Sequence, residues 1–410
     1  MRAAGRFDVA ISGMGLLTAA GVGAEESWAR VRTGASTATR DPELKGLAVD
    51  FSCRVPGFDA GELLGRRMAC RLDRFVQLAV VATRHALADA GLDSTGWDGT
   101  RVGIVLGNSL GGTTTFEHQY RAFFDDGEDD VSPFMVPMGM VNMVAGYVAM
   151  DCQAYGPSLV TATACASGST AIGVARDMLR SGTCDVVIAG GTESALTPAT
   201  MAGLRRMRAL SERVDDPAAA SRPFDSARDG FVAAEGAGVL ILERPDDVRA
   251  RGARVHAMIS GFGASSDAHH ATAPEPNGAG IERALRAALA DAGVSPGEVG
   301  HVNAHGTSTP LNDFTEAKAL MRVVGDRTPV TSTKGVTGHP LAGAGAIEAC
   351  FAALSIRDGI VPPTANLTEL DPGIELDVVA GVARSAPIEV AVSTSLGFGG
   401  HNAALVLTAA

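Results

Sequence analysis

Four short stretches of this chain have an echo later in it, in the same order. FDVAISGMG (7–15) returns as VHAMISGFG (255–263), and LADAGL (87–92) returns as LADAGV (289–294). GIVLGNSLGG (103–112) has its counterpart in HVNAHGTSTP (301–310), and RDMLRSG (176–182) in ALSIRDG (353–359). Each echo is short, but four in one order predict two similar halves. The first half carries an additional stretch around 113–150, so the spacing between copies is not constant. Glycine-bounded apolar runs at 7–15, 101–107, 185–191 and 238–243 read as strands. Stretches at 74–91, 169–182 and 281–293 have helical period. Such alternation implies an α/β fold. A chain of 410 residues exceeds one simple core, and the join is expected near 245–255, giving halves of 1–250 and 251–410.

Composition narrows the function classes. Hydrophobic residues make up 46% and charged residues 20%, a soluble globular balance. The net charge of −12 argues against nucleic acid as a partner, because phosphate contacts need a basic surface. No apolar window is long enough to span a bilayer, and MRAAGRFDVAISGMG runs straight into a strand, so no membrane association and a cytoplasmic location are expected. Six cysteines without CxxC pairs suggest neither a zinc site nor a disulfide framework. Against the acidic background two basic clusters stand out: Arg66, Arg67, Arg71 and Arg74, then Arg205, Arg206 and Arg208.

Three stretches carry reactive side chains. TATACASGST (161–170) places Cys165 between small residues at the start of a helical run. Free cysteine is usually a buried core filler. At a helix start, however, the dipole and unpaired N–H groups lower a thiol's pKa and favour the nucleophilic thiolate. VNAHGTSTPLND (302–313) presents His305 at a strand end, where catalytic groups are often displayed. TSTKGVTGHPLAGAGAIE (331–348) holds Lys334 and His339 among small residues, and a lysine buried there needs an acid such as Glu348. The glycine-rich STSLGFGGHN (393–402) lacks the lysine and spacing of a phosphate loop, and its N–H groups could instead face an oxyanion. One thiol and two imidazoles suit acyl transfer. The metal alternative lacks a HExxH motif or clustered carboxylates, so no metal is expected.

In order along the chain, VNMVAGYVAM, TACASG, SRPFDSARDGFVAAEGAGVLILE, SSDAHHATAPEPNGAG, NAHGTSTPLND, STKGVTGH and GFGGHN resemble the β-ketoacyl-[acyl-carrier-protein] synthases of the synthase II type. This is a branch of the thiolase-like superfamily that includes the ketosynthase subunits of type II polyketide synthases. The resemblance covers nearly the whole chain. It implies a five-layered αβαβα fold of two duplicated halves and a decarboxylative Claisen condensation with malonyl-carrier protein. In that pattern Cys165 is the acyl-accepting nucleophile, His305 and His339 assist decarboxylation, and Lys334 is a structural lysine paired with Glu348. The N–H groups of Cys165 and Phe398 match the oxyanion hole, and Phe398 also matches the gate over the thiol. Asp267, Asp313 and Asn402 match residues that gate or order the site, and Leu110 and Leu204 match the acyl pocket. The implied partners are an acyl carrier protein and a second chain, either a copy of this one or a ketosynthase-like chain-length factor. No cofactor is implied beyond the carrier's phosphopantetheine.

Carrier proteins are typically acidic, so Arg66, Arg67, Arg71, Arg205, Arg206 and Arg208 become the expected docking residues. The chain departs from the family pattern at Leu396, where phenylalanine is usual, in KGVTGH with Pro340 after it, and at His401. A chain-length factor acting as a scaffold is the alternative, but those subunits lose the cysteine. A degradative thiolase would carry a second cysteine in the C-terminal loop, and GFGGHN has none.

Overall fold

The computed structural model describes Gly5 and residues 7–410. Its main strands are β1 (Val9–Thr18), β2 (Val102–Gly107), β3 (Ser158–Thr161), β4 (Val186–Glu193), β5 (Gly236–Glu243), β6 (Ala257–Ser266), β7 (His301–Asn303), β8 (Val330–Thr331), β9 (Val390–Gly397) and β10 (His401–Thr408). The helices that layer them are α1 (Arg74–Ala90), α2 (Met143–Cys152), α3 (Ser167–Arg180), α4 (Ala279–Ala292), α5 (Pro310–Val324) and α6 (Ala344–Asp358).

Hydrogen bonding links the strands in the order β8-β7-β9-β10-β6-β1-β5-β4-β2-β3. Read outward from the centre, β1-β5-β4-β2-β3 and β6-β10-β9-β7-β8 follow one plan. The first two pairings of each are antiparallel and the last two parallel. β1 and β6 meet through three residue pairs, Val9–Ile259, Ala10–Met258 and Ile11–Ala257. The duplication expected from the sequence is therefore present strand by strand.

The repeated phrases mark repeated physical demands. In β1 the ladder to β5 skips Ser12, and in β6 the ladder to β10 skips Ser260, so each strand bulges at the serine of its ISG. The glycines that follow let a helix lie on the strand. A Cβ on Gly13 would sit 2.3 Å from the Ala86 carbonyl oxygen, and one on Gly261 would sit 2.2 Å from that of Ala288. The aspartate of each LADAG then accepts a strand N–H: Asp89 from Met14 at 2.8 Å and Asp291 from Phe262 at 3.1 Å.

α1 and α2 cover the outer face of the first strand set, and α4, backed by α5, covers that of the second. α3 and α6 touch strands of both sets and form the central layer. α6 is buried on every side from Ala344 to Ser355, which explains its alanine and glycine content. The layers are those of the αβαβα fold. The expected elements are found with shifted ends: α3 begins at Ser167 and stops at Arg180, and β4 runs on to Glu193 because its last residues still pair with β5. Among the described residues no helix is long and apolar enough to cross a membrane.

Candidate active site

Cys165 sits in a turn of 3-10 helix (Ala164–Ala166) between β3 and α3, at the central layer. The turn is strained: Ala164 has φ of 50°, a left-handed conformation that costs about 1–2 kcal/mol for a residue with a Cβ. Ser167 holds it in place, donating to the Ala164 carbonyl at 2.6 Å and accepting from the Thr163 N–H at 2.9 Å. The start of α3 lies against α6, and a Cβ on Gly168 would be 2.7 Å from the Ala346 nitrogen.

The second half supplies the other groups. His305 follows β7, and His339 is set by backbone bonds to the Val232 carbonyl and the Ala234 N–H. His339 Nε2 is 3.2 Å from Cys165 Sγ, and the two imidazoles meet edge to face with centroids 5.2 Å apart. Phe231 closes the far side of His339, also edge to face. Lys334 and Glu348 form an ion pair, both nearly inaccessible to solvent. Glu348 is pushed up to about 7 by burial, against the pull of Lys334.

The electrostatics differ from the expectation for a helix start. Burial pushes the Cys165 thiol up to about 11. The Lys334 charge and the N–H groups of Phe398 and Cys165 pull it down without cancelling the burial. Desolvation holds both His305 and His339 well below the usual imidazole range, and Lys334 adds to it. Lys334 thus favours thiolate and neutral imidazoles with one charge. Cys165, His305 and His339 have ligand atoms within 4.8 Å of one another, a set that a soft divalent ion could use. The same ammonium opposes a cation there.

The glycine-rich loop after β9 lies over the nucleophile. A Cβ on Gly397 would be 2.4 Å from the Thr163 carbonyl oxygen, so this approach requires glycine. Asp267 ties the loop to the segment after β6: its N–H donates to Gly400, and its carboxylate accepts from Asn402 Nδ2 at 2.7 Å and the Glu275 N–H at 3.1 Å. Asp313 is buried on α5, raised to about 6 by that burial, and accepts from the N–H groups of Phe224 and Ser308. A cavity of about 340 Å³ joins Cys165, His305, His339 and Phe398 to the surface past Thr307, Thr309 and Arg208.

Other expected residues lie apart. Leu110 and Leu204 do not line this cavity; Leu110 is exposed, and Leu204 packs on the apolar cluster that contains Cys165. Arg66, Arg67 and Arg71 border a second hollow of about 560 Å³ floored by Leu64, Met68, Tyr147 and Met150. Arg74 turns inward to the buried Glu235, Arg205 pairs with Glu212 at 3.0 Å, and Arg206 is exposed.

Sequence reading missed Glu316. Its buried carboxylate accepts from the N–H groups of His305 and Gly306, both at 2.8 Å, and from the Thr394 hydroxyl at 2.6 Å. Its spacing of three from Asp313 on one helix face was the available signal.

A duplicated α/β fold with a buried thiol and two neutral imidazoles where the halves meet defines a thiolase-like acyl-transferring enzyme. The sequence profile of the Beta-ketoacyl synthase N-terminal domain matches residues 6–247, and that of the C-terminal domain matches 256–368. The chain belongs to the β-ketoacyl synthase family. It is 43% identical over 404 residues to 3-oxoacyl-[acyl-carrier-protein] synthase 2 of Synechocystis sp. (strain ATCC 27184 / PCC 6803 / Kazusa), covering 97% of each chain. Among solved structures it resembles the ishigamide ketosynthase/chain length factor with TM-score 0.93 and 33% identity, covering 99% of this chain and 100% of that one. A type II PKS acyl-carrier protein in complex with its ketosynthase bound to the hexaketide matches with TM-score 0.90 and 29% identity, again covering 99% and 100%.

Proposed function

We propose that the chain is an elongating ketosynthase that condenses a Cys165-bound acyl group with malonyl-[acyl-carrier-protein]. The observation that carries this reading is the 3.2 Å approach of His339 Nε2 to the Cys165 thiol, in a cavity that also holds His305. Residues 1–250 then form the half bearing the nucleophile, and 251–410 the half bearing both histidines.

In the first step Cys165 Sγ attacks the acyl thioester. Its proton passes to His339 Nε2 and on to the departing carrier thiol. The Lys334 charge and the N–H groups of Cys165 and Phe398 offset part of the cost of burying the thiolate that forms as the proton leaves. With Sγ acylated, His339 Nε2 has no thiol to accept from, and the N–H tautomers of both rings can donate. In the second step they bond the malonyl thioester oxygen, the malonyl C–C bond breaks to release CO2, and the enolate carbon attacks the Cys165 thioester. The C–S bond breaks and the electron pair returns to Sγ. Depressed imidazole pKa values suit this role, because protonated rings would trap the charge that the enolate must deliver. Glu316 orders His305 through its backbone, while Asp267 and Asn402 fix the loop that bears Phe398.

The reading assigns no cofactor; substrates arrive on the phosphopantetheine of an acyl carrier protein. Arg66, Arg67 and Arg71, set around an apolar floor, suit an acidic, partly apolar docking helix, and the exposed Arg206 and Arg208, the latter lining the active-site cavity, are assigned to the same docking role. Exposed large apolar side chains are frequent between Leu110 and Leu159, and among the described residues no strand pairs with the outer edge of β3. Both features suit a partner of the same fold, either a second copy or a chain-length factor. The identity to a synthase 2 relative favours fatty-acid elongation, whereas Leu396 and Pro340 favour a specialised polyketide chain. Intact-mass analysis after incubation with acyl-carrier protein tests the core of the reading. A single acyl adduct is expected, lost in C165A; an adduct persisting in C165A refutes it.

A further inference from the structure

Cys165, His305 and His339 come from three separate stretches of chain, and their ligand atoms lie within 4.8 Å of one another. Among the described residues no other set of three or more metal-ligating side chains is so placed. A thiolate and two imidazoles suit a soft or borderline divalent ion, as three protein ligands with a fourth position left open. Zinc–sulfur bonds of about 2.3 Å and zinc–nitrogen bonds of about 2.0–2.1 Å put neighbouring donors of a tetrahedral site roughly 3.3–3.6 Å apart. His339 Nε2 and Cys165 Sγ are already 3.2 Å apart, and 4.8 Å bounds the other separations. The triangle closes with side-chain shifts of no more than about 1.5 Å.

The surroundings are those of an exchangeable ion, not of a permanent one. A permanent zinc site fixes each imidazole by bonding its other ring nitrogen. Here the Nδ1 atoms of His305 and His339 have no hydrogen-bond partner among the described residues. Lys334 opposes a cation, although Glu348 pairs with it and weakens its field. The cavity that reaches the surface past Thr307 and Thr309 gives an ion its way in and out. An ion bound here cannot assist acyl transfer. It takes Sγ as the thiolate, the thiol proton leaving to solvent, and a sulfur held by a metal is not free to attack a thioester.

We propose that Cys165, His305 and His339 form an exchangeable inhibitory site for a soft divalent ion of the zinc class, which binds the free enzyme and is excluded by an acyl group on Sγ. The binding stands on the geometry alone; the inhibition rests on the ketosynthase reading above. An acylated sulfur is a thioester with no thiolate to offer, so ion and acyl group compete for one atom.

The test titrates the full-length, metal-free protein with CdCl2, read by the thiolate-to-cadmium charge-transfer absorption in the ultraviolet, and with ZnCl2, read by equilibrium dialysis. Cys70 is the exposed one among the free cysteines, so C70S serves as the control. One ion per chain is expected, with unchanged affinity in C70S. The absorption should vanish in C165A and in C165S, the second of which keeps the size of the side chain. H305A and H339A should weaken binding by about 100-fold or more, beyond the roughly 10–100-fold that loss of a merely orienting partner costs. Hexanoyl-carrier protein added first should abolish the absorption, and ZnCl2 added first should stop acyl-enzyme formation until a chelator removes it. Absorption that persists in C165A and C165S, disappears in C70S or is indifferent to both histidine substitutions overturns the site. An ion bound with acyl-enzyme formation unimpaired overturns the inhibitory role. Absence of acyl-enzyme in the metal-free protein overturns the ketosynthase reading, while the cadmium absorption still decides the site.

Discussion

Replacing Lys334 with methionine separates two functions of one charge. Lys334 and Glu348 are 1% and 2% exposed, so K334M leaves a carboxylate in the interior without its cation. Breaking one side of a buried pair costs about 3–5 kcal/mol. Protonation of Glu348, which burial already pushes to about 7, caps that loss at neutral pH. At the typical unfolding entropy of ~2.1 cal/mol/K per residue, the melting temperature should fall by roughly 4–6 °C. The double variant K334M/E348Q removes both charges and should recover all but about 1 kcal/mol, because paired neutral groups of similar shape are tolerated. Activity should not recover with it. Without the ammonium the Cys165 thiol moves further up and both imidazoles move back towards their ordinary range. Single-turnover acylation should then drop by about 100-fold or more. The acid limb of malonyl decarboxylation should move to higher pH, because the rings now protonate sooner. Calorimetry and single-turnover mass spectrometry on the two variants read both effects. If the double variant regains activity along with stability, Lys334 is only a structural partner and the electrostatic account fails.

Three further outcomes are expected. H305A should slow malonyl decarboxylation by roughly 100-fold or more while acyl loading onto Cys165 changes far less, since His339 is the group beside the thiol; equal losses in stopped-flow assays of the two steps would count against its assigned role. Charge reversal in R67E/R206E should weaken carrier-protein binding and flatten its salt dependence, as read by titration at low and high ionic strength, and unchanged affinity removes these residues from the docking surface. His301 is buried, finds no hydrogen-bond partner for either ring nitrogen among the described residues, and is held near 3 by desolvation. Its folded pKa lies below the unfolded value, so its contribution is present above about pH 6.5 and is lost as pH falls below that. H301L should therefore lose about 1.4 kcal/mol less than the parent on going from pH 7.5 to 5.5. Glu193 and Glu348, raised to about 7, pull the parent's curve the other way, so the difference between variant and parent in denaturant titrations is the readout.

What could be read from the sequence, and what could not, follows from how each residue is satisfied. The halves were legible because the same backbone problem was solved twice with the same residues. A bulging serine, a glycine under a helix and an aspartate returning to the strand leave a fixed local phrase. Cys165, Lys334 and His339 were legible because they sit in short turns and helix starts whose small neighbours stand out against ordinary core. Glu193 and Glu316 left no such mark. Each is satisfied in part by backbone N–H groups, those of Glu193 from a loop more than 80 residues away and those of Glu316 from the loop before its own helix, and any residue type supplies a backbone N–H. The thiol's environment was misjudged for a related reason. A helix start lowers a thiol's pKa only where solvent keeps burial cheap, and Cys165 is 6% exposed. What offsets its burial is an ammonium from the other half, which no local pattern around Cys165 could announce. The nucleophile belongs to one copy of the repeat, and the charge and imidazoles that make it usable belong to the other. A site of this kind exists only once the two copies have packed through α3 and α6. Loosening that central contact should therefore disable the chemistry before it unfolds either half.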